Sequence, residues 1–227
     1  MLYFPLNPEL VSGFLYMLPE LILLAHLILV SPQIKGSSNV ALASRSFSLE
    51  NRYNNAYVND VFKDNILLTL NYMSGDVKSK NDVNWDNIEK PANFNFSLKP
   101  GEGFAFHDQI LPQYAESIVK TTNAHFNYTD GFKSDGYLTG DGVCHLASLI
   151  YWAAKDAGLT SVSLASHDFA KINEVPKEYG VSIKSMPGAF ANSANQNLYI
   201  INNRDKAVTF NFDYDGTNLT VTVLEAI

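Results

Sequence analysis

Hydrophobic and polar positions along this chain follow two rhythms. Across residues 53–73 apolar side chains return at spacings of three and four: Tyr57, Val58, Val61, Phe62, Ile66, Leu70 and Met73. That period predicts a helix, and Ser74-Gly75 supplies its stop. The same period returns at Leu146, Leu149, Ile150, Ala153 and Ala157, with Gly158 placed as a left-handed cap. Elsewhere the period is two. Short strands are predicted over residues 94–98, 104–106, 160–167, 181–183 and 198–203. Residues 208–214 and 219–223 alternate cleanly, and Asp215-Gly216 between them is a hairpin signal. Lys99-Pro100-Gly101-Glu102-Gly103 reads as a type II turn. Residues 75–93 are polar and read as a surface loop, with Trp85 packing it down. Residues 114–137 carry mixed signals and receive no element. Residues 34–48 read as a polar linker broken at Gly36-Ser37-Ser38-Asn39. The sum is an α+β chain, in which a helix packs on a mostly antiparallel sheet.

The N-terminal segment stands apart from both rhythms. Residues 10–30 are mostly apolar, densest from Leu21 to Val30. Such a run is short for a membrane span and about right for the apolar part of a signal peptide. Ala41-Leu42-Ala43 before Ser44 matches a signal-cleavage pattern. No Lys or Arg precedes the run, and Pro19, Glu20 and His26 interrupt it. The open readings are a cleaved signal, a membrane anchor, or an ordinary buried helix. Either of the first two places the rest of the chain outside the cytoplasm. The expected organisation is therefore residues 1–43 as signal or anchor with linker, and residues 44–227 as one α+β domain.

Composition narrows the function classes. With 46% hydrophobic and 17% charged residues the 227-residue chain has material for a core. A net charge of −7 argues against a nucleic-acid partner, because phosphate binding needs clustered Lys and Arg. The single cysteine excludes an internal disulfide. No Walker loop, GxGxxG or HExxH occurs, so no cofactor or metal is expected. Asn95-Phe96-Ser97, Asn127-Tyr128-Thr129 and Asn218-Leu219-Thr220 match a glycosylation triplet that is common by chance.

The candidate chemistry sits where Gly140-Asp141-Gly142 feeds the second helix. Cys144 falls in that helix's first turn, where free N–H groups and the helix dipole favour a thiolate. The same N–H groups suit an oxyanion. The competing reading is a small buried hydrophobe. His167 lies at the end of the strand that returns from the helix. A helix, a tight turn at Gly158 and an antiparallel strand would bring Cys144 and His167 together as nucleophile and base. The competing reading for His167 is a structural histidine. Asp168 would point to the opposite strand face, and Asn195, Gln196 and Asn197 offer an unselected third member. His145 adjoins Cys144 but should face elsewhere. His107-Asp108 reads as a surface loop.

Several segments resemble one family. Lys99-Pro100-Gly101-Glu102-Gly103-Phe104-Ala105-Phe106 is similar to the P-G-E-x-F-S-F segment of VanW-family proteins. The run from Gly140 through Cys144 to Tyr151 resembles that family's G-G-G-V-C-Q-x-S-T-x-L-Y block. Ala153 to Leu159, Ser166-His167, Met186-Pro187-Gly188 and Asn65-Ile66-Leu67-Leu68 extend the likeness across about residues 60–203. Asp141 stands where the family has glycine, and Ala189-Phe190 where it shows an arginine–aspartate pair. The resemblance implies an exported or membrane-anchored cell-envelope protein more than a reaction. Two functions are carried forward. One is a cysteine-dependent acyl-transfer enzyme acting on peptidoglycan or peptide bonds through Cys144 and His167. Its order of helix-borne cysteine and strand-borne histidine is loosely papain- or transglutaminase-like by analogy. The other is a non-catalytic envelope binding or scaffolding domain.

Overall fold

The computed structural model describes residues 39–227, so the signal or anchor reading of the preceding segment lies outside the described residues. In chain order the strands are β1 (Asn39–Ser48), β2 (Ala92–Leu98), β3 (Gly103–Ala105), β4 (Ile118–Lys120), β5 (Thr160–Ser163), β6 (Leu198–Ile201), β7 (Val208–Tyr214) and β8 (Asn218–Ala226). The helices are α1 (Ala56–Ser74), α2 (Trp85–Ile88), α3 (Val143–Asp156) and α4 (Phe190–Asn195). Both long helices fall where the three-four spacing placed them. The Asp215-Gly216 hairpin joins β7 and β8 in antiparallel register, with Phe210 opposite Val223 and Phe212 opposite Val221.

The strands form two four-stranded sheets, ordered β1-β8-β7-β2 and β4-β3-β6-β5. The first is wholly antiparallel; in the second only β3 and β4 run parallel. Alternation makes one face of the first sheet apolar: Phe94, Phe96, Val208, Phe210, Phe212, Leu219, Val221 and Val223 are all buried. Phe96 stacks on Phe210 at 5.0 Å and on Phe104 of β3 at 4.9 Å, so one ring joins the two sheets. Helix α3 is buried along Leu146, Leu149, Ile150 and Ala153 and packs against strands of both sheets and against α1.

Three expectations need correction. The polar linker is, from Asn39 onward, strand β1, paired along its length with β8. It reads as polar because its outward positions are Ser44, Ser46 and Ser48, and because an inward one is Arg45, which pairs with Asp156 and lies over the Trp152 ring. The strand expected over residues 160–167 stops at Ser163, and residues 181–183 make only an isolated bridge, Ser166 to Val181. The mixed segment holds short strand β4. Among the described residues no helix is long and apolar enough to cross a membrane.

Candidate functional site

The glycine–cysteine block begins as a packing device. Gly142 caps α3 with φ +96°, and a β-carbon there would lie 2.5 Å from the Phe62 carbonyl oxygen of α1. A β-carbon on Gly140 would lie 2.7 Å from the Phe126 carbonyl oxygen. Backbone contact this close, not substrate access alone, explains glycine at both positions. Asn65 ties the turn to α1: its Nδ2 donates to the Asp141 and Lys133 carbonyls at 2.9 and 3.1 Å, and its Oδ1 accepts from Lys133 N–H at 2.8 Å.

Cys144 does fall in the first turn of α3, as expected from sequence. Its sulfur, however, meets main chain: it accepts from Ile183 N–H at 3.4 Å and donates to the Ile183 carbonyl at 3.7 Å. Among the described residues no histidine nitrogen hydrogen-bonds to it. Burial pushes the thiol up to about 11, and the Asp141 carboxylate adds to the rise. The helix terminus acts the other way and loses, because desolvation of a thiolate outweighs a partial dipole charge. Among the described residues no cation offsets that rise. Burial lowers the pKa of His167, and burial with Arg52 and His167 drives His145 down to about 3, so both rings are neutral at pH 7.

His167 lies beyond the strand, four residues past the end of β5, where its N–H donates to the Gly180 carbonyl. Its Nδ1 bonds the Ala170 carbonyl at 3.1 Å, which assigns the proton to Nδ1 and leaves Nε2 as an acceptor. Its ring meets His145 edge-on at 5.9 Å. Adjacent helix positions face different directions, and here the Cys144 sulfur meets Ile183 while the His145 ring lies between Phe62, at 5.0 Å, and His167.

These residues line a cavity of about 530 Å³ with Arg52, Tyr53, Phe62, Asp141 and Phe169. Tyr53, Phe62, His145, His167 and Phe169 form one run of touching rings, each centroid 4.0–5.9 Å from the next. Three polar atoms of the lining are buried without a hydrogen-bond partner: Arg52 Nε, Asp141 Oδ2 and His145 Nδ1. The rest of the Arg52 guanidinium is well held. It pairs with Glu174 at 2.7 Å, donates to Asn51 Oδ1 and the Asn173 carbonyl, and lies 4.0 Å from the Phe47 ring centroid. Burial, only partly offset by Glu174, lowers its pKa to about 10. Burial and neighbouring Asp135 raise Asp141 to about 6.

The other candidates sit elsewhere. His107 is fully buried, not in a surface loop. Its ring bonds the Gln196 carbonyl at 3.1 Å and accepts from Asn197 Nδ2 at 3.2 Å. Asn197 is thereby committed to His107, while Asp168 and Asn195 are exposed. Gln196 lines the cavity. Among the described residues no group of three or more His, Cys, Asp or Glu is placed to hold a metal. Sequence reading passed over Arg52, Tyr53 and Phe169. A buried arginine leaves no trace in a one-dimensional pattern, and both rings lie in irregular segments.

Compared with known proteins, the chain matches the family described as "VanW like protein" over residues 86–224. No curated protein and no solved structure matches it. The match begins after α1, so Arg52, Tyr53 and Phe62 lie ahead of it.

Proposed function

Since the chain belongs to the VanW family, we propose that it is an extracytoplasmic domain of the cell envelope, exported or membrane-anchored, that binds a ligand in the cavity beside Cys144. The observation that carries a binding role over catalysis is the sulfur's engagement by both main-chain groups of Ile183. A nucleophilic thiol needs an adjacent base or a lowered pKa. Cys144 has neither: among the described residues no imidazole nitrogen bonds it, and its thiol is pushed up to about 11. In this reading Cys144 joins α3 to the extended segment at Ile183, and the cavity between them receives the ligand.

The second reading keeps Cys144 as an acyl-transfer nucleophile with His167 as base, in a papain- or transglutaminase-like arrangement acting on peptidoglycan or peptide bonds. One observation favours it: Cys144, His145 and His167 line one cavity. It requires the sulfur to leave Ile183 and meet His167 Nε2. Alkylation by iodoacetamide separates the two, and the single cysteine makes the signal unambiguous. Slow reaction at pH 7, rising only toward pH 11, is expected. Fast reaction at pH 7 with a midpoint below ~8.5 would overturn the binding reading in favour of the enzyme.

A further inference from the structure

The run of five rings ends in solvent on both sides. Tyr53 is 53% exposed and Phe169 78%, while His145 and His167 between them are buried. Exposed apolar rings that rim a cavity are one mark of a ligand-binding groove. Both imidazoles of the run are neutral, because burial lowers their pKa values. Charges in the lining are mixed, with Lys171 and Lys184 set against Asp135 and Asp141, and the Arg52 charge is met by Glu174. Nothing there selects a strongly charged ligand.

The polar part of the lining sets a second requirement. Arg52 Nε–H needs an acceptor, Asp141 Oδ2 as carboxylate needs a donor, and His145 Nδ1 takes either according to its tautomer. Polar atoms left unpaired in a protein interior are destabilising. Arg52 and His145 are only 3% and 5% exposed. All three atoms are buried, so a ligand meets them only as the lining side chains shift. A hydroxyl, which both donates and accepts, then suits each of them, and a ring carrying hydroxyls on its edge and C–H groups on its faces also suits the stacking rings.

A second cavity of about 550 Å³ adjoins the first, and His167, Phe169, Ala170 and Lys171 line both. Exposed Phe169 thus stands between two compartments, which suits a ligand of more than one ring.

We infer that the ligand is an uncharged oligosaccharide, stacked on Tyr53 and Phe169 and hydrogen-bonded toward Arg52, Asp141 and His145. This rests on the binding reading above and names its ligand class.

The test is calorimetric titration of the full-length protein with two probes, tetra-N-acetylchitotetraose and cellotetraose, with tetra-alanine as the peptide counterpart. One-to-one saturable binding of at least one sugar is expected. Phe169→Ala and Tyr53→Ala should each weaken it about ten-fold, as loss of a stacking ring does, and Phe169→Trp should retain it. Both positions are exposed, and circular dichroism checks that each variant stays folded. The inference is overturned if neither sugar binds at millimolar concentration, if tetra-alanine binds more tightly, or if both alanine variants bind as tightly as the parent. Absence of sugar binding with slow alkylation of Cys144 removes the ligand class alone. Fast alkylation at pH 7 removes the reading beneath it.

Discussion

At the scale of single residues, desolvation decides more here than local position does. Cys144 holds the place in a helix that ordinarily activates a thiol, yet burial raises its pKa. His145 shows the same force in a measurable form. Its folded pKa of about 3 lies below the ordinary value of 6.5, so between those limits the unfolded chain takes up a proton that the folded chain refuses. Stability is therefore fully present above pH 6.5 and is lost as pH falls, by about 2 kcal/mol at pH 5 from this group alone. Urea unfolding at pH 7 and pH 5 should show the loss, and His145→Phe, which keeps the ring contact with Phe62, should remove most of it. Asp141 runs in the opposite sense. Its folded pKa of about 6 exceeds the ordinary 3.8, so it costs stability at pH 7 and that cost is relieved as pH falls through 6. Asp141→Asn should accordingly be more stable than the parent at pH 7, by roughly 1 kcal/mol after allowance for its partial exposure. The glycines differ just as sharply. Gly142→Ala meets the Phe62 carbonyl and should cost roughly 3 kcal/mol. Gly158→Ala has φ +73° but open space around it, and should cost only ~1 kcal/mol. Denaturant midpoints of the two variants give the comparison.

At the scale of elements, β1 and the segment after β5 carry the main revisions. Among the described residues β1 is an edge strand paired with β8 alone, with Ala41 opposite Leu224 and Ala43 opposite Val223. The Ala41-Leu42-Ala43 pattern therefore lies inside a paired strand, where cleavage after Ala43 would remove half of it. A chain starting at Ser44 should be less stable than one starting at Asn39, by roughly 2 kcal/mol from lost strand hydrogen bonds. Thermal melts test this. If the leading segment is removed on export, Edman sequencing should find the new N terminus at or before Asn39; finding Ser44 would sink the expectation. The segment after β5 is fixed differently. Glu174 accepts from Ser48 N–H at 2.8 Å and pairs with Arg52, so the stretch that carries His167 is tied to the approach to α1. Arg52→Met should loosen that tie by removing the ion pair and leaving Glu174 only the Ser48 N–H and Asn51 Nδ2 donors, at a cost of ~1–3 kcal/mol given Glu174's exposure. Faster amide exchange confined to residues 167–175, with α3 unchanged, is the expected signature.

At the scale of the whole molecule, the cavity is assembled from pieces far apart in the chain. The approach to α1 supplies Arg52 and Tyr53, α1 supplies Phe62, and the turn into α3 supplies Asp141, Cys144 and His145. The stretch after β5 brings His167 and Phe169. The first two of these groups precede the region shared with the family. One wall of the cavity therefore stands outside the family match, while the turn at Gly140–Gly142 that shapes the floor stands within it.

The sequence by itself determined the two long helices, the β7–β8 hairpin, the turn at Lys99–Gly103 and the place of Cys144 in the first turn of α3. Each follows from local period or turn chemistry, which acts over a few residues. Tertiary structure alone decided that β1 is a strand, because pairing with β8 and the packing of Arg45 outweigh a polar outward face. It alone set Cys144 against Ile183 and His145 against His167. Those choices depend on which segments bury one another, and burial sets both the neighbours of a side chain and its charge.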